Sequence, residues 1–286
     1  MRNLNESNLT QTVIGMMDNA KDARTRVIVA SLVRHLHAFI QEVSLTEAEW
    51  LAGIQFLTAT GQKCDAQRQE FILLSDTLGV TTMKDLVNNR KLPGATEYTI
   101  LGPFHRDDAP EAALGSNLAG EFRGEPVMVS GRVLSPTGAP IAHAALDVWQ
   151  SDAEGHYDLQ MPDLPGTALR GIFHTDAEGR FGFRTIKPSY YPIPSDGPVG
   201  QMLIALGRHP YRPAHIHFIV SAGGYKPVTT ELFVAGDPYL DSDAVFGVRE
   251  SLIVPFVRHD SEEEAHGLGV NAPFYTVDYD FVLEPA

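Results

Sequence analysis

The run Arg212-Pro213-Ala214-His215-Ile216-His217-Phe218 puts a guanidinium and two imidazoles into one short stretch. The β-branched pair Ile219-Val220 follows, so a strand is predicted over about 214–221. Strand side chains alternate faces, which sends His215 and His217 to one side and Ile216 and Phe218 to the other. Two imidazoles spaced this way can converge on one metal ion. Arg212, stiffened by Pro213, sits where its charge can reach an anion bound at that metal. The same His-x-His pattern also fits two core histidines hydrogen-bonded to backbone carbonyls.

Two tyrosines could complete such a site. Tyr157 follows Asp152-Ala153-Glu154-Gly155-His156, just past the apolar run Leu146-Asp147-Val148-Trp149-Gln150. Tyr191 lies in Lys187-Pro188-Ser189-Tyr190-Tyr191-Pro192-Ile193-Pro194, a stiff loop with few backbone donors. Two phenolates and two imidazoles form an N2O2 set. Anionic oxygens favour a hard trivalent ion, so this set holds Fe(III) in preference to Fe(II) and differs from the two-His-one-carboxylate sites of Fe(II) oxygenases. Each tyrosine taken singly also fits a core ring with its hydroxyl hydrogen-bonded. A zinc hydrolase built on His215 and His217 lacks a His-Glu-x-x-His helix.

The elements that must position these side chains fall into two kinds. From Leu9 to about Val43, apolar residues recur at helical spacing, with a break near Asn19–Lys21. Ser44/Glu47 and Thr46/Glu49 both have capping-box spacing ahead of a helix running to about Thr60, with Gly61 as its stop. Further helices are expected over about 65–78, ending at Gly79, and 83–88. His35 and His37 fall on different faces of the first helical region and read as surface residues. Beyond Pro93-Gly94 the chain becomes short β-branched runs broken by Gly, Pro and Asp. Strands are expected over about 125–134, 144–149, 172–175, 180–186, 228–234, 252–256 and 275–282. The identical tetrapeptides Asp152-Ala153-Glu154-Gly155 and Asp176-Ala177-Glu178-Gly179 read as hairpin turns, since EF-hand spacing is absent. The segment 197–206 has no clear pattern. The fold class is therefore α+β: an N-terminal helical domain over 1–95, facing a partner chain, followed by an all-β sandwich over 96–286 that carries the metal site.

Composition narrows the partners. A chain of 286 residues buries roughly 70–75% of its unfolded surface and needs no disulfide or structural metal to fold. Its single cysteine, Cys64, excludes intrachain disulfides and Cys-rich clusters, and suggests a reducing compartment. The net charge of −14 argues against nucleic acid and anionic membranes. Residues 1–10 are polar, unlike a signal peptide, and no run approaches a membrane span; the cytoplasm is the expected location.

Taken together, Leu146-Asp147-Val148-Trp149-Gln150 with Asp152, Gly155 and Tyr157, then Tyr191, then Arg212 to Phe218, resemble the intradiol ring-cleavage dioxygenases. The resemblance covers most of the chain. It implies one non-haem Fe(III) per chain held by Tyr157, Tyr191, His215 and His217, with Tyr191 and His217 axial. It also implies a homodimer through the N-terminal helices, with a lipid-sized apolar tunnel at the interface. Tyr191 would take a proton from the substrate, and Arg212 would stabilise carbanion-like charge on the ring. The run Asp237 to Val248 is similar to the branch of the family that cleaves hydroxyquinol (benzene-1,2,4-triol) with O2 to 3-hydroxy-cis,cis-muconate, the enol of maleylacetate. Phe71, Leu73, Asp76, Ile100, Leu101, Gly102, Ile193 and Pro194 fit the same branch, at positions that line the substrate pocket in relatives. Asp76 could accept a hydrogen bond from the third ring hydroxyl, or be a surface charge. Catechol or a chlorocatechol is the alternative substrate, and a non-catalytic transthyretin-like binding module the alternative of another kind. One residue departs from the pattern: Glu231 stands where catechol-cleaving relatives often carry Gln, and no role follows from the sequence.

Overall fold

The computed structural model describes residues 3–65, 68–161 and 163–286. The helices are α1 (Leu9–Gly15), α2 (Ala23–Val43), α3 (Glu47–Gln62), α4 (Glu70–Thr77), α5 (Val80–Asn88), α6 (Pro198–Ala205) and α7 (Glu262–Gly267). The strands are β1 (Pro126–Leu134), β2 (Ala145–Gln150), β3 (Arg170–His174), β4 (Arg180–Ile186), β5 (Tyr191–Pro192), β6 (Tyr211–Arg212), β7 (His215–Ser221), β8 (Val228–Val234), β9 (Ile253–Val254), β10 (Val257–His259), β11 (Phe274–Asp278) and β12 (Phe281–Val282). The chain belongs to the α+β class, with its helices concentrated at the N-terminal end and its sheets beyond.

Contacts divide the chain into two units, Met1–Ala59 and Thr60–Ala286. In the first, Asp22 caps α2 by accepting from the Arg24 and Thr25 amides. Thr46 and Glu49 close a capping box at the start of α3, with Thr46 N–H donating to Glu49 Oε2 at 2.9 Å. Ser44 serves instead as the left-handed C-cap of α2. His35 is exposed, and His37 meets the Thr10 hydroxyl at 3.0 Å.

The second unit is built on two five-stranded sheets. In one, β1 pairs antiparallel with β4 on one edge and parallel with β11 and then β12 on the other, while β10 extends β11. The other runs β3-β2-β7-β8-β9. Val127, Val129 and Phe183 from the first sheet pack with Leu146, Phe173, Ile216 and Phe218 from the second. Each such side chain contributes about 1.5–3 kcal/mol on burial. Ile216 and Phe218 point into this core, as alternation from His215 requires.

Several elements differ from the sequence expectation. α3 runs through Gly61 to Gln62, and α4 starts at Glu70, later than expected; residues 66–67 of that predicted helix lie outside the described residues. The second Asp-Ala-Glu-Gly turn is no hairpin, because β3 and β4 belong to different sheets. The first leads from β2 into a 3-10 turn at Asp158–Gln160. Both are tight all the same: Asp152 Oδ1 accepts from the Glu154 and His156 amides, and Asp176 Oδ1 from those of Glu178 and Arg180. The strand expected at 252–256 is shortened to Ile253–Val254 because Pro255 offers no N–H. The strand expected over 275–282 splits into β11 and β12. The break falls at Tyr279, whose carbonyl lies 1.9 Å from where a Cβ on Gly131 would sit. The unpatterned segment 197–206 is α6, opened by Pro198 in its first turn.

Candidate metal centre

The predicted donors converge on the outer face of the β2-β7-β8 sheet. Register does the local work. His217 lies directly opposite Trp149 on β2 and Glu231 on β8, and His215 opposite Phe233. Trp149 stacks flat on the His217 ring, with centroids 4.6 Å apart and 5° between planes. The two imidazoles meet with their Nε2 atoms 3.0 Å apart.

Loops bring in the phenols. Tyr157 opens the 3-10 turn, its amide donating to Gln160 Oε1 at 2.8 Å. Its neighbour Asp158 is buried and receives Arg170 Nε at 2.7 Å, while Arg170 Nη2 also donates to the Phe104 carbonyl at 3.1 Å. The Phe104 ring stacks on Tyr157 at 4.4 Å. Tyr157 is thus clamped from its backbone and from its face, and its hydroxyl reaches His215 Nε2 at 3.3 Å. Tyr191 sits on β5, opposite Arg212 on β6. Its ring is 5.4 Å from that of Tyr157 and 5.7 Å from that of His215. Gly155 makes room for it: at φ +89°, a Cβ there would lie 2.8 Å from the Cβ of Tyr191.

The chemistry of this donor set fits a metal. The Nδ1 of His215 is 2.7 Å from the Pro213 carbonyl, which makes it the protonated nitrogen and leaves Nε2 a lone pair. The two Nε2 atoms come within 3.0 Å of each other, a spacing at which both can face one cation. Burial, with the positive charge of Arg212 adding to it at His215, lowers the pKa of that imidazole. Burial and then His215 itself push His217 well below the ordinary histidine range. Both imidazoles are therefore neutral at pH 7, the form a metal requires. Burial raises both phenols, Tyr157 well above its ordinary value with Tyr191 adding to the shift. Their ionisation calls for a strong local positive charge, which a trivalent metal supplies.

Arg212 is fully buried and clamped by two carboxylates. It donates to Glu231 Oε1 at 2.8 Å and Oε2 at 3.2 Å, and to Asp243 Oδ1 at 3.1 Å and Oδ2 at 3.2 Å. Burial alone would lower its pKa, but Asp243 and Glu231 more than offset this and hold it permanently charged. Its Nη1 lies 3.3 Å from His215 Nε2. Glu231 and Asp243 are thus site residues that sequence reasoning left without a role. The signal for Glu231 was its departure from the glutamine common at that position in catechol-cleaving relatives; its pairing opposite His217 appears only in the fold.

The predicted pocket residues are distributed unevenly. Leu73, Ile100 and Ile193 share one apolar cluster with Leu203, Ala244 and Val245. A Cβ on Gly102 would sit 3.4 Å from the His217 ring. Pro194 is half-buried, whereas Phe71 and Leu101 are largely exposed. Asp76 is buried, not a surface charge. Burial raises its pKa, against the opposing pull of Thr81 and Arg212.

The family described as "Catechol dioxygenase N terminus" matches residues 22–96, and that described as "Dioxygenase" matches residues 100–285. The chain belongs to the intradiol catechol dioxygenase family. It is 50% identical over 280 residues to a hydroxyquinol 1,2-dioxygenase of Rhizobium sp. (strain MTP-10005), covering 97% of this chain and 95% of that protein. It is likewise 50% identical over 285 residues to a 6-chlorohydroxyquinol 1,2-dioxygenase of Cupriavidus pinatubonensis, covering 100% and 99%. The solved hydroxyquinol 1,2-dioxygenase of Pseudomonas putida DLL-E4 superposes with a TM-score of 0.93 at 48% identity, covering 98% of this chain and 99% of that one. The family's members are iron-dependent aromatic-ring dioxygenases, so this chain is an intradiol ring-cleavage enzyme and its family implies non-haem iron, an aromatic substrate and O2. Membership sets aside the binding-module and zinc-hydrolase alternatives. Among the described residues, no helix is long and apolar enough to cross a membrane.

Proposed function

We propose that the enzyme cleaves hydroxyquinol between its two adjacent hydroxylated carbons, using O2 and one Fe(III) per chain, to give 3-hydroxy-cis,cis-muconate, the enol of maleylacetate. The observation that carries the substrate is the 50% identity, over nearly the whole chain, to proteins named for hydroxyquinol and its 6-chloro derivative. Tyr157, Tyr191, His215 and His217 hold the iron, supported by their convergence and by the close approach of the two Nε2 atoms. When bound, ferric iron supplies Lewis acidity and a template for ring and O2.

The protein's own groups do the rest. Tyr191 accepts a proton from a ring hydroxyl as the substrate enters. Arg212, opposite Tyr191 across the β5-β6 ribbon, stabilises negative charge on the ring carbon under attack. Leu73, Ile100, Gly102, Ile193 and Pro194, with Phe71 and Leu101 nearer the solvent, line the ring pocket. Asp76, buried and under the field of Arg212, receives the third hydroxyl.

Residues 1–95 form the helical dimerisation domain and 96–286 the catalytic sandwich. The separate family matches at 22–96 and 100–285 support that boundary, although contacts within the chain divide nearer residue 59. Two copies associate through the helices around a bound lipid, a reading supported by Val27, Ile28, Leu32, Leu36, Phe39 and Ile40, all exposed on α2. The lone, reduced Cys64 supports a cytoplasmic setting.

The test is O2 uptake with benzene-1,2,4-triol, its 6-chloro derivative and catechol, with iron measured on the same sample. The expected order places a triol well ahead of catechol. A preference for catechol would overturn the substrate assignment, and an iron-free, colourless sample that stays inert after reconstitution would overturn the iron site.

A further inference from the structure

Glu231 is completely buried, and its Oε1 faces three neighbours. Arg212 Nη1 donates to it at 2.8 Å, and His217 Nδ1 faces it at 3.4 Å, an electrostatic contact rather than a closed hydrogen bond. His217 Nδ1 is buried and has no other acceptor. His215 Nε2 also lies 3.4 Å from the same oxygen. The two histidines therefore differ behind the metal position. A neutral carbonyl, that of Pro213, backs His215, whereas a carboxylate backs His217. Strand register makes this unavoidable, since Glu231 and His217 are direct cross-strand partners.

The charge balance is uneven as well. One guanidinium, Arg212, is shared by two carboxylates, Glu231 and Asp243. The clamp is closed tightly: a Cβ on Gly247 would lie 2.6 Å from Arg212 Nη2 and 3.1 Å from Glu231 Oε2. A glutamine at 231 would leave a neutral Arg212–Asp243 pair. Glutamate leaves one surplus negative charge in contact with both imidazoles.

We propose that Glu231 is a positioning residue that fixes His217 with its proton on Nδ1 and biases the site toward ferric over ferrous iron. The inference rests on the iron reading above. Carboxylates behind metal-bound histidines orient the ring and raise its basicity, and a negative charge near the centre favours the more highly charged oxidation state.

The experiment compares wild type, E231Q, E231D and D243N for iron content, the tyrosinate-to-iron absorption band and the Fe(III)/Fe(II) midpoint potential. E231Q is expected to retain iron, to move the band to longer wavelength, and to lose at least tenfold in ferric preference, about 59 mV upward for a one-electron couple. E231D, whose shorter carboxylate withdraws from His217, should fall between the two. D243N should shift the midpoint less than E231Q, because Asp243 does not touch the imidazoles. A coloured, ferric wild type whose E231Q variant keeps the same band and midpoint overturns the proposal, as does a D243N shift equal to that of E231Q. Should E231Q not fold, an E231D midpoint equal to wild type overturns it. A colourless, iron-free wild type would instead overturn the iron reading itself.

Discussion

Tyr191 and Arg212 face each other across a two-residue ribbon, which joins a potential base to a permanent cation in one rigid unit. Tyr191→Phe removes one phenolate and leaves the ring in place. The absorption band should shift and turnover should fall by about 10²-fold or more, the scale of a lost proton-transfer group. Unchanged spectra and rates would remove Tyr191 from the centre. Asp76 belongs to the same scale. Its carboxylate is buried with only the Thr81 hydroxyl and the field of Arg212 to offset burial, so a hydrogen bond from the third ring hydroxyl would add a second donor to a costly group. Asp76→Ala should lower kcat/KM for the triol at least tenfold more than for catechol; equal losses on both substrates would reject its role in selectivity. His215 and His217 stood out through their two-residue spacing, whereas Tyr157 and Tyr191, 34 residues apart and remote from the histidines, were assigned as ligands only through the resemblance to a family. Glu231 was legible only as an anomaly, since a carboxylate in a strand says nothing of which residue lies across from it.

At the level of elements, the site depends on turns that let loops approach a flat sheet face. Gly155 is one of these, with the Tyr190 carbonyl 3.0 Å and the Tyr191 Cβ 2.8 Å from where a side chain would begin. Gly155→Ala should cost about 1–3 kcal/mol in backbone strain and displace Tyr191, lowering both the melting temperature and the iron content. A variant with wild-type iron and stability would show that the loop adapts freely. Strands β4 and β8 were readable to the residue, because alternation and flanking Gly and Pro mark them. Helix α6 was not. Its Gly and Pro residues obscure any helical pattern, yet Pro198 suits a first turn, and Gly200 fits where the Ser195 carbonyl leaves no room for a Cβ.

For the molecule as a whole, the apolar face of α2 sets the expected assembly. Leu32 and Leu36 are each about half exposed, unusual for leucines one helical turn apart. The double change Leu32→Arg with Leu36→Arg should convert a two-chain species to single chains in light scattering or sedimentation, while iron binding in the 60–286 unit persists. A mass unaffected by the change would place the interface elsewhere. The sequence alone determined the class of the fold and the family, because these rest on residue type, periodicity and local motifs. The tertiary structure decided what surrounds that chemistry. It set Glu231 behind His217, locked Arg212 between two carboxylates and buried Asp76, and it grouped α4 and α5, by contact, with the sheets. Such placements depend on strand register and on which faces meet, and those are fixed only when distant segments pack.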